Sequence, residues 1–285
     1  MVDPYMTFKI EPIKPNIGAI VNVDRSALSD SAVVQRCLEA LDAHDVLVFP
    51  RLGLTDSEQL AFTDRLGARV DFTRTVPGGS ASEPGVYKIT LDPKINTEPE
   101  YVLGTFFYHM DGMPIQNIPP PKATLLSARV VATKGGQTQF ASTRAAYEGL
   151  SAAQKAELEG LRALHSARAG VRRVFDSEAE LAGIRVGSVA GERPLVWTSA
   201  SGRKSLLIGE TADRIVGMPL AEGRALLARL LEWAGQPDFS YSHQWQEGDL
   251  VMWNNCGALH RVVPYDRNSG RMMHRTSLAG VEAVA

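Results

Sequence analysis

The chain has 285 residues but only two cysteines, Cys37 and Cys256, and it lacks any long hydrophobic run. Two cysteines exclude a framework of disulfide bonds, so we expect a reducing compartment, the cytoplasm. No apolar run approaches the roughly 18 residues that a membrane span requires. The first residues also lack the basic and apolar regions of a signal peptide. We therefore expect no membrane partner.

An excess of charge of either sign is also missing. The formal net charge is −2, and 22% of the residues are charged. A protein that binds nucleic acid usually carries a basic surface that would appear as a positive balance, so we expect no nucleic-acid partner. A hydrophobic content of 44% is that of a globular protein and excludes a disordered or fibrous chain. The sequence does not reveal the oligomeric state, so it neither predicts nor excludes a homo-oligomer.

Hydrophobic periodicity predicts helices and strands that interleave along the chain. At roughly 150 residues per domain the length allows one or two domains. Because short turns join the last strands, we predict a mainly antiparallel pair of sheets with helices outside it, in one domain over residues 1–285. The predicted helices cover residues 29–43, 55–66, 143–149, 152–163 and 219–234. The predicted strands cover residues 45–49, 86–91, 105–108, 123–132, 138–140, 239–245, 249–253 and 270–278.

One stretch in the first half has little regular pattern. Residues 92–104 contain two prolines, an asparagine and several charges, and we interpret them as a long loop. Loops of this length inside a compact domain are often lids or binding loops. We predict a lid over the active site at about residues 73–105.

A histidine and an aspartate stand two positions apart at His109 and Asp111. In an extended segment such residues point to the same face, so both can bind one metal ion. A third ligand from another strand would complete a two-histidine, one-carboxylate set, which is typical of non-haem Fe(II) oxygenases. His260, after a predicted strand, is a candidate for that position. A His-x-Asp pair alone is weak evidence, because it also occurs in ordinary exposed turns.

Two arginines lie four residues apart in the last predicted strand. Arg271 and Arg275 would share one face of that strand with Met273 and Ser277. Buried arginines are costly unless anions meet them, and the guanidinium group suits a carboxylate. The alternative is an edge strand with solvated arginines. By the same alternation Phe107 shares the face of His109 and is a candidate substrate contact, together with Thr105.

These residues jointly resemble the taurine dioxygenase family of Fe(II)- and 2-oxoglutarate-dependent enzymes. The resemblance covers residues 13–280, is weakest at 73–105 and 165–195, and is closest to the branch that cleaves aryloxyalkanoate herbicides. Two departures are Tyr108, where family members often carry tryptophan, and Asn254, where an aspartate is common. The motifs are His109-x-Asp111, Gly135-Gly136-Gln137-Thr138, Gly248-Asp249-Leu250-Val251-Met252-Trp253, His260-Arg261 and Arg271-x-x-x-Arg275.

The resemblance implies a fold, a set of cofactors and a role for each matching residue. The implied fold is a double-stranded β-helix, a cupin-like jelly roll with flanking helices. The implied cofactors are Fe(II), 2-oxoglutarate and O2, and the implied reaction hydroxylates a small organic acid, a carboxylate or sulfonate, with ether cleavage as a further outcome. The matching residues are His109, Asp111 and His260 for iron, Thr138 and Arg271 for 2-oxoglutarate, and Arg275 for the substrate.

Two other functions use the same metal ligands and stay open at this point. One is a metal-dependent hydrolase or isomerase on a cupin-like barrel, which has no need of a 2-oxoglutarate clamp. The other is a non-catalytic protein that binds a metal or a small anion. Stoichiometric formation of succinate from 2-oxoglutarate separates both from a dioxygenase.

Overall fold

The structure is a computed structural model that describes residues 8–71, 84–96, 102–175, 189–282 and 284. Its strands are β1 Lys9–Pro12, β2 Ala19–Asn22, β3 Val46–Phe49, β4 Arg69–Val70, β5 Tyr87–Ile89, β6 Ala123–Val130, β7 Thr138–Ser142, β8 Arg162–Ser166, β9 Ala190–Pro194, β10 Val196–Thr198, β11 Lys204–Leu206, β12 Ala212–Ile215, β13 Ser240–His243, β14 Leu250–Asn254, β15 Ala258–Val262 and β16 Met272–Leu278. Its helices are α1 Ser31–His44, α2 Asp56–Leu66, α3 Thr143–Glu148, α4 Ala152–Leu158, α5 Ala167–Val171 and α6 Leu220–Ala234, with short 3-10 turns at Arg25–Ser29 and Gly104–Phe106.

The largest sheet has eight strands and forms one wall of the molecule. Its strands follow the order β1-β2-β3-β14-β6-β16-β4, and β5 also pairs with β16. Only β2 and β3 run parallel among these pairs; the other neighbours run antiparallel. A second sheet has the order β13-β7-β15 and is antiparallel throughout.

A compact hydrophobic cluster fills the space between these two sheets. The main sheet contributes Val48, Val251 and Met273, and the second sheet contributes Phe140 and Ala258. Side chains of successive strand residues alternate between the two faces, so the opposite face of the main sheet needs its own cover. That cover is α1 and α2, which pack on this face around a second buried cluster. The predicted pair of mainly antiparallel sheets with outer helices is thus confirmed.

Local signals set where the first two helices begin. The Asp30 side chain accepts hydrogen bonds from the N–H groups of Ala32 and Val33, which caps α1. Thr55 and Glu58 form a complete capping box at the start of α2, which ends at Gly67. Both predicted helices are present within two residues of the expected positions.

Two predicted elements are wrong. Residues 105–108 are not a strand, because Gly104–Phe106 forms a 3-10 turn in which the Phe107 N–H donates to the Gly104 carbonyl. The helix predicted at 152–163 ends at Leu158 because the chain turns at Gly160, whose φ is +74°. A left-handed residue of this kind is favourable for glycine and stops a helix. The chain then continues directly into β8.

The predicted lid falls partly outside the described residues, which omit 72–83 and 97–101. Within the described part, Tyr87–Ile89 is the strand β5 and pairs with β16. The role of residues 73–105 as a lid, and the single domain over 1–285, stay predictions. None of the helices in the described ranges has the length and apolarity needed to cross a membrane.

Candidate active site

Strand pairing brings His109 and His260 together. The two residues form a β-bridge in which each N–H donates to the other's carbonyl at 3.0 Å. Their ring centroids are 4.0 Å apart. One ligand atom each from His109, Asp111 and His260 lies within 4.8 Å of the other two, and all three residues are buried. His260, although distant in the sequence, therefore lies beside the pair formed by His109 and Asp111.

The protonation states of these three side chains suit a metal ion. Burial lowers the pKa of His109 and of His260, so both imidazoles are neutral near pH 7. Burial alone would raise the pKa of Asp111, but Arg275 and the two imidazoles hold it well below its usual range. Metal binding requires neutral histidine and ionised carboxylate ligands, and the three groups meet that requirement.

Each ligand candidate is oriented by its surroundings. His109 Nδ1 lies 2.9 Å from the Phe107 carbonyl oxygen, which leaves Nε2 for a metal. The Nε2 atom of His260 lies 4.0 Å from Oδ1 of Asp111. The His260 ring packs against Trp253, with centroids 4.6 Å apart. One ligand nitrogen of each imidazole therefore lies close enough to Asp111 for the three side chains to share one metal ion.

A chain of buried hydrogen bonds holds the other oxygen of Asp111. The hydroxyl of Thr124 donates to Oδ2 of Asp111 at 2.7 Å, and the Asn255 amide donates to that hydroxyl at 2.9 Å. The indole N–H of Trp253 in turn donates to Oδ1 of Asn255 at 2.9 Å. Sequence reasoning missed Thr124, because nothing local in β6 distinguishes it from a structural threonine.

Arg275 lies beside this cluster on the inner face of β16. Its Nη1 is 3.5 Å from Oδ1 of Asp111, and its Nε donates to the Ser277 hydroxyl at 3.3 Å. Met273 lies on the same face and packs in the cluster between the sheets. The inward direction predicted for Arg275 therefore holds, although the pairing of β16 with β6 shifts register between Met272 and Met273.

Arg271 immediately precedes β16 and is buried, with only 4% of its surface exposed. Its Nη2 donates to the Gly136 carbonyl at 3.2 Å, and its guanidinium carbon lies 4.8 Å from the centre of the Tyr265 ring. Among the described residues no carboxylate forms an ion pair with Arg271. A buried guanidinium without a counter-ion is costly, so this position is suited to an external anion.

The Gly135-Gly136 turn gives Arg271 its space. Both residues have positive φ, +74° and +78°, which other residues rarely adopt. A Cβ on Gly135 would lie 2.1 Å from the Pro264 carbonyl oxygen, and one on Gly136 would lie 3.1 Å from Nε of Arg271. Thr138 follows this turn in β7, and its hydroxyl accepts a hydrogen bond from the Trp245 indole at 2.9 Å.

A cavity of about 150 Å³ opens beside the three ligand candidates. The predicted contact Thr105 lines it. The predicted contact Phe107 is not among its lining residues; its ring lies 5.8 Å from the Arg173 guanidinium carbon instead. Sequence reasoning missed two polar lining residues, Glu210 and Thr211, because the segment around them has no clear periodicity. The lining residues are Tyr87, Ile89, Val102, Gly104, Thr105, His109, Met110, Asp111, Gly112, Pro114, Ala167, Gly170, Val171, Glu210, Thr211 and Arg275.

Comparison with known proteins gives matches over nearly the whole chain. The model of the family described as "Taurine catabolism dioxygenase TauD, TfdA family" matches residues 9–277. The alpha-ketoglutarate-dependent 2,4-dichlorophenoxyacetate dioxygenase of Cupriavidus pinatubonensis is 36% identical, over 95% of this chain and 98% of that protein. The (S)-phenoxypropionate/alpha-ketoglutarate-dioxygenase of Sphingobium herbicidovorans is 35% identical, over 96% of this chain and 95% of that protein. The crystal structure of AAD-2 in complex with Mn(II) and N-oxalylglycine has a TM-score of 0.78 and 31% identity, and covers 98% of this chain and 100% of that chain.

Proposed function

Because the chain belongs to the taurine catabolism dioxygenase TauD, TfdA family, we propose that its substrate is a small organic acid of the aryloxyalkanoate type. As a family member it is an Fe(II)- and 2-oxoglutarate-dependent dioxygenase with the jelly-roll fold, and it releases succinate and CO2 as it hydroxylates a C–H bond. This activity excludes the two alternatives, a hydrolase or isomerase and a non-catalytic binding protein. Hydroxylation beside an ether oxygen gives a hemiacetal that collapses, so the ether is cleaved.

The observation that carries the proposal is the buried cluster of His109, Asp111 and His260 with Arg275 at its edge. In this proposal the three residues hold Fe(II), and their protonation states and orientation fit that role. Fe(II), when bound, supplies the oxidative chemistry of 2-oxoglutarate and O2, while the protein orients and shields the reactants. A metal ion held by only these three residues would keep further coordination positions for small molecules.

Arg271 and Thr138 hold the distal carboxylate of 2-oxoglutarate in this proposal. The support is the buried guanidinium of Arg271, which has no carboxylate partner among the described residues, and the glycine turn that makes room for it. A carboxylate of the cosubstrate would supply the missing negative charge through charge-assisted hydrogen bonds. Its arrival also removes the cost of an uncompensated buried cation.

Arg275 binds the anionic group of the substrate in this proposal. It is the positively charged side chain among the described residues that line the cavity, since the histidine there is neutral. Its present contact with Asp111 at 3.5 Å is longer than a close ion pair. The relatives are dioxygenases of 2,4-dichlorophenoxyacetate and (S)-phenoxypropionate, carboxylic acids in which the carbon that bears the ether oxygen is next to the carboxylate. An acid held at Arg275 therefore directs that carbon toward the metal ligands.

The central experiment measures succinate formation from 2-oxoglutarate with Fe(II), O2 and a panel of aryloxyalkanoates, alkanoates and sulfonates. We expect substrate-dependent succinate with at least one acid. Asp111→Ala should lose iron binding and succinate formation together, whereas Asp238→Ala, at an exposed position, should keep both. Full turnover by purified Asp111→Ala protein with added Fe(II) would refute the metal-ligand assignment.

A second experiment tests the role of Arg275. In the Arg275→Gln variant the KM for the acid should rise strongly while the KM for 2-oxoglutarate stays near its original value. The uncharged methyl ester of the acid should be a poor substrate of the unmodified enzyme. The reverse pattern of KM values, or full activity on the ester, would contradict the assignment.

A further inference from the structure

Glu210 is a buried acidic side chain that none of the roles above uses. It is 8% exposed and lies in the short segment between β11 and β12, where its N–H donates to the Tyr108 carbonyl at 2.8 Å. That hydrogen bond ties the segment to the residue before His109. Its side chain lines the cavity beside the metal-ligand candidates. The position is therefore inside the active site, on a different chain segment from the ligands.

The backbone around Glu210 is built to admit its carboxyl group. A Cβ on Gly170 of α5 would lie 3.3 Å from Oε1 of Glu210 and 3.4 Å from its Cγ. A Cβ on Gly209 would lie 3.0 Å from the Tyr108 carbonyl oxygen and 3.2 Å from the Cα of His109. A larger residue at Gly170 would crowd the carboxyl group, and one at Gly209 would crowd the backbone at Tyr108 and His109. Close packing therefore fixes the position of the carboxyl group.

This carboxyl group has an unused hydrogen-bonding atom. Oε2 of Glu210 is fully buried and has no hydrogen-bond partner among the described residues. Burial raises the pKa of Glu210 well above its usual range; Arg173 acts in the opposite direction, and Asp111 raises the pKa further. A carboxylic acid that stays protonated carries one O–H donor. Because polar groups buried without a partner are costly, this donor is suited to an acceptor on a bound molecule.

The other polar side chains of the cavity already have partners. The Thr105 hydroxyl donates to the Val102 carbonyl at 2.6 Å. The Thr211 hydroxyl lies 2.9 Å from Nδ1 of His165. Arg275 and Asp111 face each other and belong to the substrate and metal roles proposed above. Among the described lining residues, Glu210 is the one with a buried polar side-chain atom that has no hydrogen-bond partner.

We propose that Glu210 determines substrate specificity by donating a hydrogen bond from its carboxyl group to the ether oxygen of the bound acid. This inference rests on the proposed substrate class. An aryloxyalkanoate has two polar ends to satisfy in a buried cavity, the carboxylate and the ether oxygen. Arg275 binds the carboxylate, and Glu210 donates to the ether oxygen. A carbon analogue with a methylene group in place of the ether oxygen has no acceptor there.

The test measures dissociation constants by calorimetry with protein loaded with Mn(II) and 2-oxoglutarate, so that no turnover occurs. The two probes are 2,4-dichlorophenoxyacetate and its carbon analogue, in which methylene replaces the ether oxygen. Glu210→Leu should weaken binding of the ether acid roughly tenfold, as expected when a buried acceptor loses its donor. Glu210→Gln keeps an N–H donor and should stay within roughly threefold of the unmodified protein. Binding of the carbon analogue should change little in either variant.

The controls separate this inference from the proposed function. Glu222→Leu removes an acidic side chain at an exposed position of α6 and should leave both dissociation constants unchanged. Three results would overturn the role of Glu210: equal binding of the ether acid by Glu210→Leu, an equal loss in Glu210→Gln, or no binding of the ether acid to the unmodified protein. Succinate formation with another acid would then still support the proposed function, whereas no succinate with any acid would contradict that function itself.

Discussion

At the scale of single residues, the metal-ligand candidates depend on side chains that do not touch a metal themselves. Asp111 is ionised and oriented because Arg275 lies on one side of it and the Thr124 hydroxyl donates to Oδ2 on the other. Asn255 and Trp253 continue this chain of hydrogen bonds into the core. Residues that hydrogen-bond to metal ligands in this way commonly influence the metal affinity of a site.

Replacing Thr124 by valine should weaken metal binding without unfolding the protein. Valine keeps the shape of threonine but cannot donate to Asp111 or accept from Asn255. Losing a supporting hydrogen bond of this kind typically lowers metal affinity roughly 10- to 100-fold. Titration with Fe(II) or Mn(II) under anaerobic conditions would measure the change, with Thr124→Ser as the matched control that keeps the hydroxyl. An unchanged affinity in a folded valine variant would mean that this hydrogen bond does not support the site.

Arg271 is expected to govern the affinity for 2-oxoglutarate. Charge-assisted hydrogen bonds contribute about 1.5–3 kcal/mol each, so Arg271→Ala should raise the KM for 2-oxoglutarate roughly tenfold or more. Lysine keeps the charge but not the bidentate geometry of arginine. The KM of Arg271→Lys for 2-oxoglutarate should therefore lie between those of the unmodified protein and of Arg271→Ala. Arg267→Ala, at an exposed position a few residues away, is the control. A folded Arg271→Ala protein with an unchanged KM would place the clamp elsewhere.

At the scale of elements, β16 is the strand on which most of the site depends. It pairs with β4, β5 and β6, and it carries Arg275 on its inner face while His274 and Thr276 face α2. The Gln59 side chain of α2 donates to the His274 carbonyl at 3.0 Å. The position of Arg275 is therefore fixed from both sides of the sheet, and α2 becomes a structural support of the active site.

The capping box of α2 should make stability depend on pH. Hydrogen bonds from Thr55 and then from Arg25 lower the pKa of Glu58 from 4.5 to about 2. As the pH falls, Glu58 takes up a proton in the unfolded chain before it does so in the folded protein. This stabilisation is therefore complete above about pH 4.5 and is lost as the pH falls toward about 2. Glu58→Gln should therefore lower the Tm at neutral pH, and the difference from the unmodified protein should shrink at acid pH.

Thermal unfolding followed between pH 7 and pH 3 would check this expectation. Glu222→Gln makes the same chemical change at an exposed position without a capping box, and its effect on Tm should be small at every pH. A Tm difference for Glu58→Gln that stays constant down to acid pH would show that the carboxylate contributes through packing rather than through its charge.

At the scale of the whole molecule, the main sheet couples the two hydrophobic clusters on its faces. In β3, Val46 and Val48 pack between the sheets, whereas Leu47 and Phe49 pack under the helices. A strand that is buried on both faces links the clusters, so neither is expected to unfold alone. The candidate metal site spans both sheets as well, because Asp111 is held by Thr124 of β6 and His260 belongs to β15.

We therefore predict one cooperative unfolding transition for the whole chain. Ligands that bind only the folded state should raise the free energy of unfolding by about 2.7 kcal/mol at 100 times their dissociation constant. Calorimetry with and without Mn(II) and 2-oxoglutarate would measure this, and Asp111→Ala should lose most of the metal-dependent gain. Two separate transitions, or a shift confined to part of the unfolding signal, would contradict the single-domain prediction.

The sequence by itself determined the features that depend on neighbouring residues. Asp30 and Thr55 mark where two helices begin, the run from Val46 to Phe49 marks a strand buried on both faces, and the two-residue spacing places Asp111 beside His109. Capping, periodicity and alternation act over a few residues, so they can be seen in one sequence. The family resemblance extended this knowledge to the fold, the cofactors and the candidate ligands.

Only the tertiary structure showed how distant residues come together in the site. His260 reaches His109 through pairing between strands, Thr124 reaches Asp111 from the middle of the main sheet, and Glu210 reaches the cavity from a segment without periodicity. The tight turn at Gly104–Phe106 replaced a predicted strand because backbone hydrogen bonds outweighed the β preference of its aromatic residues. Contacts of this kind depend on how whole elements pack, and one sequence alone contains no local signal for them.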